Sequence, residues 1–340
     1  MRRRGVTVLI GAVLLFLLVW QSAWVQVPYV ELDPGPTVDT LGTADGHPVI
    51  VLQGTSTSTS IGQLRLVTVS VQSDLTLLAA LRGWLRSDAA VVPRELIYPP
   101  GKTQQQVDNE NAQDFKDSQT SAETAALRKL GYPVQVTVKD VTKGAPAEGV
   151  LQPGDVIATV DGTTVTSQQK LTQLIRAKPA GTPRSFGVIR AGRTVPLTIA
   201  AAKSSDGNPR IGVTVEQKQP HPFTVKIDLD RIGGPSAGLM FTLGIIDKVD
   251  PTDLTGGAVI AGTGTVDDEG IVGPIGGIPQ KLVAAKEAKA KLFLTPAANC
   301  TEAVANAQPG LPLVKVSNLD DAISALQALR EHRQPALCAR

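Results

Sequence analysis

Apolar residues follow three distinct patterns along this chain of 340 residues. The first is an uncharged, mostly apolar stretch from residue 6 to residue 25, which comes directly after Arg2, Arg3 and Arg4. A helix needs about 20 apolar residues to cross a bilayer, and flanking arginines stay on the cytoplasmic side. The stretch therefore predicts one N-terminal transmembrane helix, with the remainder of the chain outside the cytoplasm.

A cleaved signal peptide is the alternative for the same stretch. The apolar run is longer than the usual core of a signal peptide, and no clear A-x-A cleavage site follows it. Trp20 and Trp24 are also typical of residues at a membrane interface. These features favour a retained anchor, which would make the protein single-pass in the cell membrane with a cytoplasmic N-terminus.

The second pattern consists of short runs rich in β-branched and aliphatic residues. These runs predict strands at residues 47 to 54 and 63 to 71, whereas the prolines and glycines between residues 31 and 42 are typical of turns. The third pattern is the spacing of apolar residues expected for a helix, which occurs from residue 74 to 88 and again from 114 to a stop at Gly131.

The composition excludes two classes of protein. Hydrophobic residues make up 42% of the chain, which is ordinary for folded cores and too high for a disordered protein. Lys and Arg total 33 against 31 Asp and Glu, and no basic stripe with interleaved aromatic residues is present, so nucleic acid is not an expected partner. The length predicts two or three domains and leaves the oligomeric state open.

The chain contains two cysteines, Cys300 and Cys338, and three histidines, His47, His221 and His332. Their spacing matches no metal site, and we expect neither a metal nor a cofactor. In an exported chain both cysteines would meet an oxidising environment. A disulfide between them and two free thiols are then the two alternatives.

Residues 99 to 104, PPGKTQ, contain the Gly-Lys-Thr that ends a phosphate-binding loop. The motif also requires a glycine at position 96, where this chain has Leu96. The loop is therefore excluded, and any hydrolysis would proceed without an ATPase module in this chain.

A compact series of elements is predicted between residues 130 and 202. It consists of a strand, a turn in GAPAEG, a hairpin in LQPGDVIATVDG, a helix at 167 to 177 and two strands around Ala191-Gly192. This stretch resembles a PDZ domain of the kind attached to bacterial envelope proteases.

The resemblance to a PDZ domain implies a site for peptides. Leu130, Gly131 and Tyr132 would form the carboxylate-binding loop, and the strand from Val134 would accept an extended peptide by strand addition. A small β-domain that binds no peptide is the alternative.

The stretch RIGGPSAGLMFTLG, residues 231 to 244, places Ser236 between glycines and an apolar run. The small residues and Pro235 predict a tight turn that enters a helix. Free N–H groups and the positive end of the dipole at that helix terminus would stabilise an oxyanion, which makes Ser236 a candidate nucleophile. A serine that only caps the helix is the alternative.

A base must accompany such a nucleophile. Residues 234 to 238 satisfy G-x-S-x-G, but that hydrolase class needs a later histidine, and His332 lies in a charged C-terminal helix while His221 precedes the serine. A lysine with a lowered pKa can act instead. Lys281 fits this role because it lies in the first turn of a predicted helix, where the dipole disfavours the ammonium form. A solvated surface charge is the alternative for Lys281.

GGPSAG, GTGTV and VGPIGGIPQKLVAAKEA, in this order and spacing, resemble the proteolytic domain of the Lon protease family, which uses a Ser-Lys dyad. The resemblance implies that Ser236 is the nucleophile, Lys281 the general base, and Thr263 the hydroxyl that hydrogen-bonds the lysine. Backbone amides of Ser236 and of the Gly233-Gly234 stretch would be the oxyanion donors. Gly233 stands where the family's motif usually has an acid.

Together the patterns predict an α+β fold with a single N-terminal transmembrane helix, a PDZ-like domain and a Lon-type proteolytic domain. The expected divisions are a cytoplasmic stub and anchor at 1–30, a strand-rich segment that completes the protease domain at 31–110, a PDZ-like domain at 111–203 with its core at 130–202, and a proteolytic domain at 204–340.

Anchor, PDZ-like domain and Lon-type domain in this order resemble the membrane-anchored, PDZ-containing Lon-type peptidases of bacteria. The resemblance implies an ATP-independent serine endopeptidase that cleaves protein or peptide substrates selected by the PDZ domain. A membrane-tethered PDZ adaptor with a degenerate protease fold is the alternative function.

Overall fold

The computed structural model describes residues 2–229 and 232–339, with side chains from Val6 onward. In these residues the α-helices are, in chain order, α1 (Arg2–Ser22), α2 (Leu77–Trp84), α3 (Gln104–Lys129), α4 (Gln168–Arg176), α5 (Gly238–Val249), α6 (Ile278–Glu287), α7 (Cys300–Ala305) and α8 (Leu319–Arg330).

The strands of the described residues, again in chain order, are β1 (Tyr29–Asp39), β2 (Thr43–Ala44), β3 (His47–Pro48), β4 (Ile50–Gln53), β5 (Gln63–Gln72), β6 (Ala90–Pro93), β7 (Gln135–Val141), β8 (Val156–Val160), β9 (Thr163–Thr164), β10 (Pro183–Arg190), β11 (Arg193–Ala200), β12 (Ala202–Lys203), β13 (Pro209–Arg210), β14 (Val213–Lys218), β15 (Thr224–Ile227), β16 (Val259–Gly262), β17 (Thr265–Val266), β18 (Val272–Gly273), β19 (Leu292–Pro296) and β20 (Leu313–Val316).

The N-terminal helix α1 ends at Ser22 and leaves apolar side chains such as Leu9 and Phe16 exposed. Across residues 2–229 and 232–339, no helix combines the length and the apolar character that crossing a membrane requires. The transmembrane helix predicted at residues 6 to 25 is therefore not found in the part of the chain that the structure describes.

The chain divides into two compact units, and unit 1 comprises the residues up to Glu123 and from Val225 onward. Its main sheet has the strand order β20-β19-β16-β5-β1-β6. The four strands from β20 to β5 are parallel, whereas β1 is antiparallel to both β5 and β6. The sheet thus combines strands from the N-terminal and C-terminal parts of the sequence.

Two helices of unit 1 make its hydrophobic core. α5 is buried at every residue from Gly238 to Asp247, which is why its sequence is apolar on all sides. α6 packs on β1 and β5, where Ile278 and Leu282 join Phe293 of the sheet in one buried cluster. α5 begins directly after the turn that carries Ser236, and Lys281 lies in the first turn of α6.

The segment from residue 31 to 42, predicted as turns, is mostly strand. β1 pairs with β5 on both sides of an irregularity between Pro34 and Thr37, and it also pairs with β6. A bulge accommodates proline because the bulged residues do not contribute to the hydrogen-bond ladder. The prolines therefore mark an interruption within the strand rather than a turn between elements.

Unit 2 runs from Thr124 to Thr224 and contains the sheet β11-β10-β8-β7-β14 with α4. The helix predicted at 167 to 177 is confirmed as α4, and the hairpin around Ala191-Gly192 is confirmed as the pair β10 and β11. Residues 204 to 224 fold with unit 2 because β14 pairs with β7 along its length.

The part of α3 that precedes Thr124 belongs to unit 1. Phe115 and Ala122 are buried, and the ring of Phe115 meets the edge of Phe241 on α5 with the ring centroids 5.7 Å apart. These residues lie within the range predicted for the PDZ-like domain. Their packing nonetheless makes them part of the unit that contains Ser236.

Candidate active site

Ser236 lies two residues before the start of α5 and is half-buried. The N-cap of α5 is Ala237, which has no side chain capable of capping, and no side-chain hydrogen bond caps this helix. The alternative that Ser236 only caps the helix is therefore wrong. The Ser236 side chain therefore does not cap α5.

Thr263 connects the sheet to this turn. It follows the carboxyl end of β16 and is 1% exposed. Its Oγ1 donates a hydrogen bond of 3.0 Å to the carbonyl oxygen of Ser236, and the backbone N–H of Gly264 donates one of 2.9 Å to the same oxygen. The backbone of Ser236 is thereby attached to the end of a parallel strand.

Lys281 reaches the same threonine from α6. It is 4% exposed, and its Nζ donates to Thr263 Oγ1 at 3.2 Å. Burial lowers the pKa of Lys281 to about 8, while the carboxylate of Glu302 opposes the shift. The helix dipole was the expected cause of a lowered pKa, but the main cause is removal of the ammonium group from water. A neutral amine, able to accept a proton, is thus accessible near pH 8.

Asn299 is a site-supporting residue that the sequence analysis missed. Its Oδ1 accepts from the backbone N–H of Ile275 at 3.0 Å, and its Nδ2 donates to the Ile275 carbonyl at 2.9 Å. This pair of bonds holds the loop that leads into α6 and hence the position of Lys281. The feature that identifies Asn299 is a polar side chain at a buried position, and burial cannot be read from the sequence.

The backbone amides predicted as oxyanion donors differ in their availability. The N–H of Gly234 donates to the carbonyl oxygen of Asn111 at 2.8 Å, so this amide is already occupied and its assignment as a donor is wrong. Within residues 2–229 and 232–339, the N–H groups of Gly233, Ser236 and Ala237 have no hydrogen-bond acceptor. Ser236 and Ala237 therefore present two neighbouring amides that can bind an anion.

A cavity of about 260 Å³ adjoins the residue before the serine. It provides space beside the candidate nucleophile at which part of a bound molecule can lie. The residues that line it are Asp114, Asp117, Ser118, Ser121, Pro235, Thr265 and Val266.

The histidine alternatives are not supported by this arrangement. His221 belongs to unit 2, where its Nδ1 lies 2.7 Å from the Gln219 carbonyl oxygen and its ring packs edge-on against Tyr132 and Phe223. His332 lies two residues after the end of α8 in a left-handed backbone conformation. Among the described residues, no group of three or more His, Cys, Asp or Glu side chains could hold a metal ion.

The loop predicted to bind a peptide carboxylate also ends a helix. Gly131 has a φ of +92° and terminates α3, with the N–H of Tyr132 donating to the Leu127 carbonyl at 2.8 Å. A left-handed glycine with such a bond is a common way to end a helix. Gly131 thus ends α3, and the assignment of Leu130, Gly131 and Tyr132 to a carboxylate-binding loop stays a prediction.

The strand predicted to receive a peptide has no free edge. β7, which begins one residue after Val134, pairs with β14 on one side and with β8 on the other. Its neighbour β14 ends the sheet, and a groove of about 450 Å³ separates that strand from α4. The groove is lined by residues that include Leu171, Thr172, Ile175, Ile211, Val213 and Val215.

Cys300 and Cys338 form a disulfide with their Cα atoms 5.3 Å apart. The N–H of Cys338 also donates to the carbonyl of Leu313 at 2.9 Å, so the C-terminal segment lies along β20. Of the two alternatives for the cysteines, the bonded pair is confirmed.

Comparison with known proteins assigns families to two parts of the chain. Residues 105–200 match the PDZ domain, and residues 231–328 match the C-terminal proteolytic domain of Lon protease (S16). A curated Lon protease from Phenylobacterium zucineum is 36% identical over 95 residues, which is 27% of this chain and 12% of that protein. The chain thus spans only a small part of the length of this relative.

Similar solved structures are PDZ domains of SdrC-like proteins from two Listeria species. The one from Listeria monocytogenes is 28% identical, covers 24% of this chain and 85% of its own, and has a TM-score of 0.23. The one from Listeria innocua is 27% identical, with coverages of 26% and 99% and a TM-score of 0.24. By the family matches, the chain combines a PDZ domain with a proteolytic domain of the Lon serine peptidase type.

Proposed function

We propose that this chain is an ATP-independent serine endopeptidase in which Ser236 is the nucleophile and Lys281 the general base. The observation that carries the proposal is the contact series from Lys281 Nζ through Thr263 Oγ1 to the backbone of Ser236. A buried lysine whose pKa is lowered to about 8 is suited to accept the proton of a serine hydroxyl.

In the proposed reaction, Ser236 Oγ attacks the carbonyl carbon of the scissile peptide bond while Lys281 takes the hydroxyl proton. The N–H groups of Ser236 and Ala237 stabilise the tetrahedral oxyanion. Lys281 then returns the proton to the leaving amine, and water hydrolyses the acyl-enzyme with the same lysine as base. Thr263 keeps the amine in place, because its hydroxyl accepts from Nζ while donating to the Ser236 carbonyl.

Casein digestion by the purified protein tests this assignment. Ser236→Ala and Lys281→Met should each abolish turnover while leaving the circular dichroism spectrum unchanged, and the double variant should be little worse than either single one. Lys286→Met is the matched control, since Lys286 lies on the same helix but is exposed and bonds the Pro309 carbonyl. Undiminished cleavage by folded Lys281→Met would contradict the dyad and favour the adaptor alternative or another base.

We further propose that unit 2 selects substrates in the groove between α4 and β14. An edge strand offers unpaired backbone groups to an extended peptide, and the apolar side chains of Leu171 and Ile175 would contact alternate residues of that peptide. The match of residues 105–200 to the PDZ domain also supports this role.

We propose, finally, that the protein is attached to a membrane through α1 and functions outside the cytoplasm. Two features support this location: the disulfide, which is typical of oxidising compartments, and the exposed apolar side chains of α1 after three arginines. Protease added to intact spheroplasts should then digest the chain beyond about residue 30. Full protection of the chain in intact spheroplasts, with digestion after lysis, would contradict the outward orientation.

A further inference from the structure

Residues of α3 bond to the peptide groups that directly precede the nucleophile. Ser118 Oγ donates to the carbonyl oxygen of Pro235 at 2.9 Å, and the Asn111 carbonyl accepts from the N–H of Gly234 at 2.8 Å. Ser118 is 6% exposed, whereas Pro235 is exposed, so the bond joins a buried hydroxyl to the surface turn that precedes the nucleophile. The proposed reaction assigns no role to this hydroxyl.

The bond to Pro235 determines the direction of one particular amide. In a trans peptide the C=O and the following N–H point in opposite directions, and the described residues contain no cis peptide bond. Fixing the Pro235 carbonyl on Ser118 therefore aims the N–H of Ser236 away from α3. The next peptide plane is held in the same manner by Thr263 and Gly264, which both donate to the Ser236 carbonyl.

The packing around Ser118 keeps its hydroxyl in this position. A Cβ atom placed on Gly238 would lie only 3.0 Å from Ser118 Oγ and 3.0 Å from the backbone nitrogen of Val266. Gly238 thus lies so close to the Ser118 hydroxyl that a side chain at this position would press against it. Ser118 lies between this glycine and the cavity, and its bond to the Pro235 carbonyl is already formed in the protein without substrate.

From this geometry we propose that Ser118 is a positioning residue for the peptidase reaction, whose hydroxyl holds the Pro235-Ser236 peptide plane so that the Ser236 N–H meets the oxyanion. The inference rests on the proposed function, because it presumes that Ser236 is the nucleophile. Without the Ser118 hydroxyl the plane can rotate about its flanking bonds, and the amide loses its alignment with the developing negative charge.

The test compares Ser118→Ala with Thr120→Ala in the full-length protein. Thr120 also bears a hydroxyl on α3, but it is exposed and donates to the Lys116 carbonyl at 3.1 Å, which makes it the control. Ser118→Ala should lower kcat by about 10-fold to 100-fold, somewhat less than outright loss of an oxyanion donor, with KM nearly unchanged. Rates are normalised to active sites titrated with a fluorophosphonate, so that a smaller folded fraction does not count as slower chemistry.

Two further measurements separate alignment from general destabilisation. A peptide boronate, which forms a tetrahedral adduct on the serine, should lose affinity for Ser118→Ala in proportion to kcat/KM. An uncleaved peptide bound to the Ser236→Ala protein should bind equally well with and without the Ser118 change. Ser118→Thr, which retains the hydroxyl, should recover part of the rate if it folds.

The outcomes distinguish this inference from the proposed function. Unchanged kcat per titrated site in Ser118→Ala, or an equal loss in Thr120→Ala, would overturn the role of Ser118 while leaving the dyad intact. Turnover that survives Ser236→Ala would overturn the peptidase assignment and this inference with it.

Discussion

The Nζ atom of Lys281 lies 3.2 Å from the Oγ1 atom of Thr263, and both side chains are almost completely buried. This contact brings together the start of α6 and the end of β16, which are 18 residues apart in the sequence. Because the threonine hydroxyl also donates to the Ser236 carbonyl, the lysine is held by an interaction that includes the candidate nucleophile. The pKa and the position of the base therefore depend on the same buried environment.

The pH dependence of cleavage should follow the deprotonation of Lys281. The base is neutral only above its pKa, so kcat/KM should rise with pH and reach half its maximum near pH 8. Glu302→Gln removes the carboxylate that raises the pKa of Lys281, and the midpoint should then move to lower pH. Glu287→Gln on α6 is the control and should leave the midpoint in place. A rate that is independent of pH between 6 and 10 would exclude a lysine base.

Lys281→Met should stabilise the folded protein at pH 7. Below pH 8 the lysine is charged in both the folded and the unfolded state, so the folded state bears the full cost of burying it. The pKa of Lys281 is about 8 in the folded protein, against an ordinary value of 10.5. This difference corresponds to about 3 kcal/mol in the free energy of unfolding. Between pH 8 and 10.5 the folded state releases the proton first, so the wild-type free energy of unfolding rises. Urea titrations at pH 7 and 10 should show the advantage of the variant shrinking, and a constant difference would contradict the burial effect.

Thr172→Glu should weaken peptide binding by unit 2. Thr172 lines the groove between α4 and β14, where a longer charged side chain would occupy the space for an extended apolar peptide. Fluorescence anisotropy with a labelled peptide ending in apolar residues should show at least about a tenfold loss of affinity, equivalent to 1.4 kcal/mol. Thr194→Glu on β11, at the opposite edge of the sheet, is the control. Equal binding by both variants would place recognition elsewhere.

Reduction of the disulfide should destabilise unit 1. Cys300 and Cys338 are 38 residues apart, and closing a loop of this length contributes about 2–4 kcal/mol to the free energy of unfolding. Dithiothreitol should lower the midpoint of urea unfolding of the wild type and have no effect on the double variant C300S/C338S. An equal shift of the unfolding midpoint in both proteins would mean that dithiothreitol does not act through this disulfide.

Much of the local structure could be predicted from the sequence. The helix α4, the β10-β11 hairpin and the helix α8 follow from apolar periodicity and turn residues, because these signals lie within a few neighbouring positions. The two family matches likewise fall on motifs that are continuous in the sequence. The prediction of turns in the segment that forms β1 was wrong, because proline occurs both in turns and at strand bulges. Only the strand that pairs with the segment decides which of the two forms.

The sequence by itself determined which residue types occur in the site: a serine before an apolar helix, a threonine after a strand and a lysine in a helix. Tertiary structure decided how they act together, because burial of Lys281 and the bond to Thr263 arise from packing of distant segments. It also decided that β7 is paired on both sides and that α3 holds the turn of Ser236. Strand order, burial and hydrogen-bond partners depend on contacts between residues far apart in the chain, and a pattern of neighbours cannot encode them.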